Sequence, residues 1–397
     1  MALAHSGAFD SCPLALTMLP LSCTFSRLGG SLASLGLACM LAACGGSDGS
    51  EGIGGLRLIG DYAIKTKTMV EGVEFGGISG IDRASDGTYW AISDERGGER
   101  GTPRFYSLSL DFDATRFKSV SINKMISIQG PDGKPLSSTT RTVDPEGIRV
   151  APNGNLYISS EGNFGVGAAL YQPFVREVRT DGSFVRAFET PSAFNYVDNS
   201  TTGARSNKLF EALAVTPNGM VFTANEDALI EDGPITTLSA GSVVRVLKLD
   251  PASGKTVAQY AYPLPAIPVD KAPTGAFAPD NGLPELLAVS NTEFLAVERA
   301  YADGVGNTIR LVLATLEADT TNVQSFKSLQ GATYKPMKKQ LLLEMPITYQ
   351  GVKIDNIEGA SWGPRLPNGN RTLVLVADNN FADNQVTQFL AFEVLPQ

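Results

Sequence analysis

Residues Asp144 to Glu161 read DPEGIRVAPNGNLYISSE: an apolar strand, a Pro-Asn-Gly turn, a second apolar strand and a closing acid. The turn glycine supplies the positive φ that a tight hairpin requires. The unit recurs at Glu211–Glu226 (EALAVTPNGMVFTANE) and, as a variant, at Ser79–Asp94 (SGIDRASDGTYWAISD). A shortened copy runs from Glu285 to Glu298 and an expanded one from Glu358 to Asp378. Two antiparallel strands place their first and last residues at the same end. In four of the five copies a carboxylate therefore opens the hairpin and another closes it on one face.

The copies begin at Ser79, Glu146, Glu211, Glu285 and Glu358, with spacings of 67, 65, 74 and 73 residues. Between them the pattern stays β. Phe105–Asp111, Val243–Asp250 and Ile309–Thr315 alternate in period two and then meet turn residues, as half-buried strands do. A fourth apolar segment follows in several cycles, as in Tyr260–Pro263 and Leu343–Pro346. Four antiparallel strands repeated about five times predict an all-β chain folded as a β-propeller, because radial repetition hides the sheet edges. Five blades are expected, with six as the alternative if one of the inserts Pro131–Thr142, Asn195–Asn207 or Ala266–Pro284 hides a degenerate blade. The last cycle lacks a fourth strand after Phe389–Val394, and Leu56–Tyr62 could supply it from the other end of the propeller domain.

The domain is expected to span 56–397. The first 44 residues read as an export leader: an apolar, small-residue run from Leu28 to Ala43 ends in Leu41-Ala42-Ala43-Cys44-Gly45-Gly46, which resembles a lipoprotein signal with Cys44 as the lipidated residue. Its apolar part, about 14–16 residues, is short of the ~20 that spanning a bilayer requires. The atypical first 17 residues leave open a start at Met18 rather than Met1, and 45–55 reads as a flexible Gly/Ser tether. The expectation is an exported monomer, anchored to a bacterial membrane through its N-terminal lipid only.

Cysteine and histidine usage excludes much chemistry. Cys12, Cys23, Cys39 and Cys44 are the four cysteines and His5 the one histidine, and all lie in the leader. The body therefore cannot build Ser-His-Asp triads, thiol proteases or ordinary zinc sites. No nucleotide, haem or zinc is expected, and the net charge of −9 argues against nucleic acid as a partner.

What remains is carboxylates, arginines and a hard metal ion. The first strand of each blade lines the channel of a propeller, so Glu146, Glu211, Glu285 and Glu358 should ring one mouth. Asp94, Glu161, Glu226, Glu298 and Asp378 should close the neighbouring strands on the same face. Carboxylates ~5 Å apart at an effective dielectric near 20 repel by about 3 kcal/mol, so such a ring must be spread out, protonated, paired or metal-bound. Calcium suits oxygen-only ligands and tolerates irregular coordination. The candidate metal ligands are Asp94, Glu161, Glu226, Glu298, Asp378 and Asn379, and the candidate catalytic residues are Glu146, Glu211, Glu358, Arg96 and Arg299. The bland alternative is that each acid caps backbone N–H groups or pairs with an arginine.

The stretches SGID…AISDERG (Ser79–Gly97), DPEGI…SSEGN (Asp144–Asn163), FEALAVTPNG…NED (Phe210–Asp227), ELLAV…VERAY (Glu285–Tyr301) and NIEGA…ADNNF (Asn356–Phe381) resemble the bacterial phytase-like family, described as having esterase-like activity of phytase. The resemblance implies an exported propeller with hydrolase activity on a small anionic ester or phosphorylated substrate. The acid-rich motifs of calcium-dependent propeller phytases are not evident, which separates this chain from phytate specificity. Three functions follow as alternatives: a calcium-dependent phosphoesterase or esterase, a non-catalytic tethered propeller that binds a ligand or protein, and a sugar-lactone hydrolase.

Overall fold

The structure is a computed structural model that describes residues 52–162, 164, 170–197 and 202–397. The leader, Cys44, most of the tether and Asn163 lie outside the described residues. Among the described residues, five four-stranded antiparallel sheets form the blades, and two short hairpins, Met69–Val70 with Val73–Glu74 and Thr348–Tyr349 with Val352–Lys353, stand outside them. Blade one comprises Ile78–Arg83, Tyr89–Ser93, Arg104–Phe112 and Phe117–Ser127. Blade two comprises Pro145–Val150, Leu156–Ser160, Phe174–Val178 and Phe184–Ala187, and blade three Phe210–Val215, Val221–Asn225, Ser242–Asp250 and Lys255–Leu264. Blade four comprises Asp280–Ala288, Glu293–Ala302, Gly306–Thr315 and Lys338–Met345. Blade five takes Asn356–Trp362, Thr372–Asp378 and Thr387–Pro396 from the C-terminal end, and its outer strand is Ile53–Ile64. The N-terminal strand thus closes the ring, with Leu58 opposite Phe392 and Tyr62 opposite Phe389. It begins at Ile53, so 53–55 belongs to the sheet rather than to a tether. The inserts contribute no sixth blade among the described residues, and the only helices there are two single 3-10 turns, Ser192–Phe194 and Ile230–Asp232.

Period-two alternation explains the ring. On the second strand of blade five, Leu373, Leu375 and Ala377 pack into the cluster shared with blade four, while Val374 and Val376 pack into the cluster shared with blade one. Each of the five blade–blade interfaces has such a cluster, so successive residues of a strand serve opposite neighbours. The inner strands approach so closely that a Cβ on Gly147 would lie 2.6 Å from both the Leu213 Cβ and the Ser159 Oγ.

The axis is filled. Arg149, 2 % exposed, donates hydrogen bonds to one carbonyl of every inner strand: Ile81 (2.6 Å), Ile148 (3.2 Å), Leu213 (2.6 Å), Leu286 (3.0 Å) and Ala360 (3.0 Å). These carbonyls occupy equivalent positions in the five blades, so the guanidinium closes the channel below the mouth.

Candidate functional site

Above that plug the ends of the strands enclose a cavity of about 320 Å³. Its lining includes Asp94, Glu146, Glu211, Glu226, Glu358 and Asp378, six acids that the hairpin pattern assigns to the mouth, together with the candidate catalytic arginines Arg96 and Arg299. Glu161 is buried beside them and belongs to both carboxylate clusters described below.

Equivalent residues can be assigned by strand register. Three residues beyond the partner of each axial carbonyl stand Asp94, Glu161, Glu226 and Asp378 in blades one, two, three and five. In blade four that position is Arg299, because Leu286 pairs with Ala296. The opening acids Glu146, Glu211 and Glu358 likewise correspond to Ser79 in blade one and to Pro284 in blade four. Glu285 takes the place that Gly80, Gly147, Ala212 and Gly359 occupy elsewhere. Its carboxylate drops onto the axis, 2.6 Å from the Arg149 Nη2, and does not reach the mouth.

Two expectations are corrected by this one-residue offset. Glu285 serves the plug, not the rim. Glu298 faces blade three instead of the channel, where its carboxylate accepts the Tyr262 hydroxyl (2.6 Å) and pairs with Lys339. In a strand, a shift of one residue moves a side chain to the opposite face. Asn379 is also turned away: its Oδ1 accepts the N–H groups of Gly77 (2.8 Å) and Phe381 (3.3 Å), which shapes the blade-five turn.

Residues outside the cassettes add the counter-charges. Lys208 lies 2.6 Å from both Glu226 and Asp280, and Arg299 lies 3.1 Å from Glu226 and 3.3 Å from Glu358. Arg96 pairs with Asp144 at 2.6 Å and donates to the Asn207 side chain at 3.1 Å. Asp144 lies within the quoted repeat, one residue ahead of the blade-two strand, whereas Lys208 and Asp280 carry no repeat signal. Phe277, Tyr301, Asn356, Asn380 and Gln385 complete the wall.

Among the described residues, nine carboxyl groups (Asp94, Asp144, Glu146, Glu161, Glu211, Glu226, Asp280, Glu358 and Asp378) therefore face three cations, Arg96, Lys208 and Arg299, all already engaged. Burial is the principal cause that raises the Glu161 carboxyl to about 8, reinforced by Asp144 and Glu226. Glu358 is pushed up to about 8 by burial and then by Asp378, and Asp144 and Asp378 rise to about 6, again chiefly through burial. Asp94, Glu146 and Glu211 are held well above the carboxylate range by burial and by their acidic neighbours. Burial alone would lower the Arg96 guanidinium, but Asp144, Glu146 and Asp94 hold it charged.

The acids are unevenly supplied with partners. Glu226 has Lys208 and Arg299, and Glu358 has Arg299 and the Asn356 amide at 2.8 Å. On the side of blades one and two, among the described residues, Glu161 accepts only the Leu209 N–H through Oε1 (2.6 Å), and its buried Oε2 has no hydrogen-bond partner there. Buried Oδ1 of Asp94 is likewise unsatisfied. Glu161 is common to two sets of oxygens, Asp144–Glu146–Glu161 and Glu161–Glu211–Glu226, and the atoms within each set lie within 4.8 Å of one another. Calcium–oxygen distances of about 2.3–2.6 Å put opposite ligands about 5 Å apart, so either set fits around that ion.

A carboxylate-lined cavity over a plugged five-bladed propeller defines the class of protein. The profile of the family "Phytase-like: Esterase-like activity of phytase" matches residues 73–381, and the chain belongs to this family. No curated protein matches it. Among solved structures it is similar to a protein of unknown function from Dyadobacter fermentans (12% identity, 86% of this chain and 100% of that chain, TM-score 0.41). It is also similar to an alpha-L-arabinofuranosidase from Lactobacillus brevis (12%, 83% and 94%, TM-score 0.41) and to a periplasmic gluconolactonase of Pseudomonas aeruginosa (13%, 86% and 96%, TM-score 0.35).

Proposed function

We propose that this chain is a calcium-dependent hydrolase of small esters, with its site in the carboxylate cavity. The observation that carries the reading is Glu161: a buried carboxylate with one bare oxygen, shared by two sets of acids at ligand spacing. Crowded acids of this kind are relieved either by protons or by a cation, and the donor set contains only hard oxygens. Glu161 would hold the ion together with Asp144 and Glu146 or with Glu211 and Glu226. When bound, the ion would polarise the oxygen of the scissile ester.

The remaining residues divide the other tasks. Arg299, in blade four and already spanning Glu226 and Glu358, can donate to an oxygen that gains charge as the carbonyl is attacked. Asp378, raised to about 6, is ionised at neutral pH yet basic enough to take a proton from attacking water. Arg96 also borders the cavity and can orient polar groups of the substrate. The excess of carboxylates over cations favours an uncharged carboxyl ester or lactone over a phosphate ester, which would need the ion to offset its charge.

Hydrolysis of carboxyl esters, lactones and phosphate esters by the full chain, with calcium and with a chelator, tests the reading. Chelator-sensitive turnover is expected on carboxyl esters or lactones. Tight binding of a ligand without turnover would favour a non-catalytic tethered propeller. Export, lipidation of Cys44 and a monomeric state belong to the same proposal. Radiolabelled palmitate should enter the wild-type chain and not Cys44→Ala, and light scattering should give the mass of one chain.

A further inference from the structure

The carboxylate cavity has an apolar neighbour, and one loop borders both. Blade four's second and third strands run past the mouth to Ala302 and Gly306. Tyr301, on this extension, lines the carboxylate cavity and also a second cavity of about 120 Å³. Val269, Ala302, Val305, Pro346 and Ile347 form the walls of the second. On a comparable measure a single water needs only ~10–15 Å³, so there is space for an organic group of several carbons. The segment 267–279 connects the two, with Pro268 and Val269 at the apolar cavity and Phe277 at the carboxylate one. Phe277 is 70% and Val269 41% exposed, which leaves apolar surface on this loop beside both openings.

Asp303 holds the loop in place. Its main-chain oxygen accepts the Ala272 N–H (2.8 Å), and its carboxylate accepts the N–H groups of Ala276 (2.6 Å) and Phe277 (3.1 Å) and the Tyr301 hydroxyl (3.0 Å). These bonds, the Phe277 and Ala276 N–H groups first, keep the carboxyl below its ordinary range.

We propose that the substrate is an ester carrying a short apolar acyl group of about four to six carbons, which occupies the cavity at Val269, Val305 and Ile347 while the ester carbonyl lies over the carboxylate cavity. This rests on the ester-hydrolase reading above and names its substrate class. In the reaction the water oxygen bonds to the carbonyl carbon and the ester C–O bond breaks. One proton of the water leaves with the alcohol, and the acyl group departs as the free acid.

The test is kcat/KM of the calcium-loaded full chain for ethyl acetate, ethyl butyrate and ethyl hexanoate, followed by proton release. Each buried methylene is worth about fourfold, so butyrate or hexanoate should exceed acetate by roughly tenfold or more. Val305→Trp, which fills the cavity, should abolish that ratio. Asp303→Asn, which loosens the loop, should reduce it and leave the pH profile of turnover in place. A flat chain-length profile, or a steep one indifferent to both substitutions, overturns this inference and leaves the ester reading standing. No turnover of any of the three esters also overturns this inference, and if lactones are left intact as well the hydrolase reading falls with it.

Discussion

Arg149 Nη2 lies 2.6 Å from Glu285 Oε2 on the propeller axis, and neither side chain is more than 2 % exposed. The pair is tied to every blade: Arg149 reaches five carbonyls, and Glu285 accepts the N–H groups of Leu213 (3.3 Å), Leu286 (2.8 Å) and Ala360 (3.4 Å). A guanidinium in this position satisfies carbonyls that converge on an axis with no strand to pair with. The residues beside the plug in sequence lead directly to the site: Glu146, Glu211 and Glu358 stand two residues before the axial carbonyls of their strands.

Arg149→Met should destabilise the fold by about 3–5 kcal/mol, the cost of leaving a buried charge without its partner. Denaturant unfolding measures it. The double substitution Arg149→Met/Glu285→Leu should recover part of the loss by removing the stranded carboxylate, but not all, because the five carbonyls stay unpaired.

Stability and pH are linked through the crowded acids. Their folded-state values lie above the unfolded ones, so their contribution is fully present below about pH 4 and is lost as pH rises through about 6 for Asp144 and Asp378 and about 8 for Glu161 and Glu358. Without divalent ions the melting temperature should fall between pH 5 and pH 8.5. Calcium binds the ionised form, so the upward shift it produces should grow over the same interval. Thermal melts at both pH values, with calcium and with chelator, give the answer; a calcium shift that shrinks as pH rises would contradict the proposed ligands.

Glu161→Gln separates a cation ligand from a structural acid. At pH 8 the apo protein should gain stability, on the order of a few kcal/mol, because one of the mutually repelling charges is gone. The calcium-induced shift should disappear in the same variant. If Glu161 merely caps the Leu209 N–H, the substitution should have little effect on either quantity.

Glu298→Gln provides the contrast. This residue faces blade three, so calcium-induced stabilisation should be unchanged. Loss of charge opposite Lys339 and Tyr262 should cost about 1–3 kcal/mol in unfolding experiments.

Arg299→Lys should lower kcat/KM on carboxyl esters by roughly 100-fold. The ammonium keeps a charge near Glu226 and Glu358 but cannot span both and also donate to substrate. Steady-state kinetics should show the loss mainly in kcat.

Most of the fold could be read from the chain. The Pro-Asn-Gly turns at Pro152, Pro217 and Pro367, with alternating apolar residues around them, define hairpins whose spacing yields five blades, and the incomplete last cycle points to the N-terminal strand that closes the ring. The acids at hairpin ends marked one mouth, and eight of the proposed side chains line one cavity there. Glu285 and Glu298 were misplaced because a hairpin pattern marks the acids at its ends without giving their phase relative to the axis. All five blades bulge at the same place, but blade four has Pro284 in the opening-acid position and Arg299 in the closing one, so its acids Glu285 and Glu298 stand one residue out of phase with those of the other copies. Lys208 and Asp280 were missed because they stand at strand entries set by loops, outside any periodic signal.

Local alternation and turn chemistry, which act over a few residues, were sufficient to determine the blades and to favour five of them over six. The phase of each strand relative to the axis depends on contacts between blades distant in sequence. Only the tertiary structure decided that Arg149 and Glu285 plug the channel, that Arg299 stands among acids as the fifth member of their ring, and that Glu161 is left with a bare oxygen.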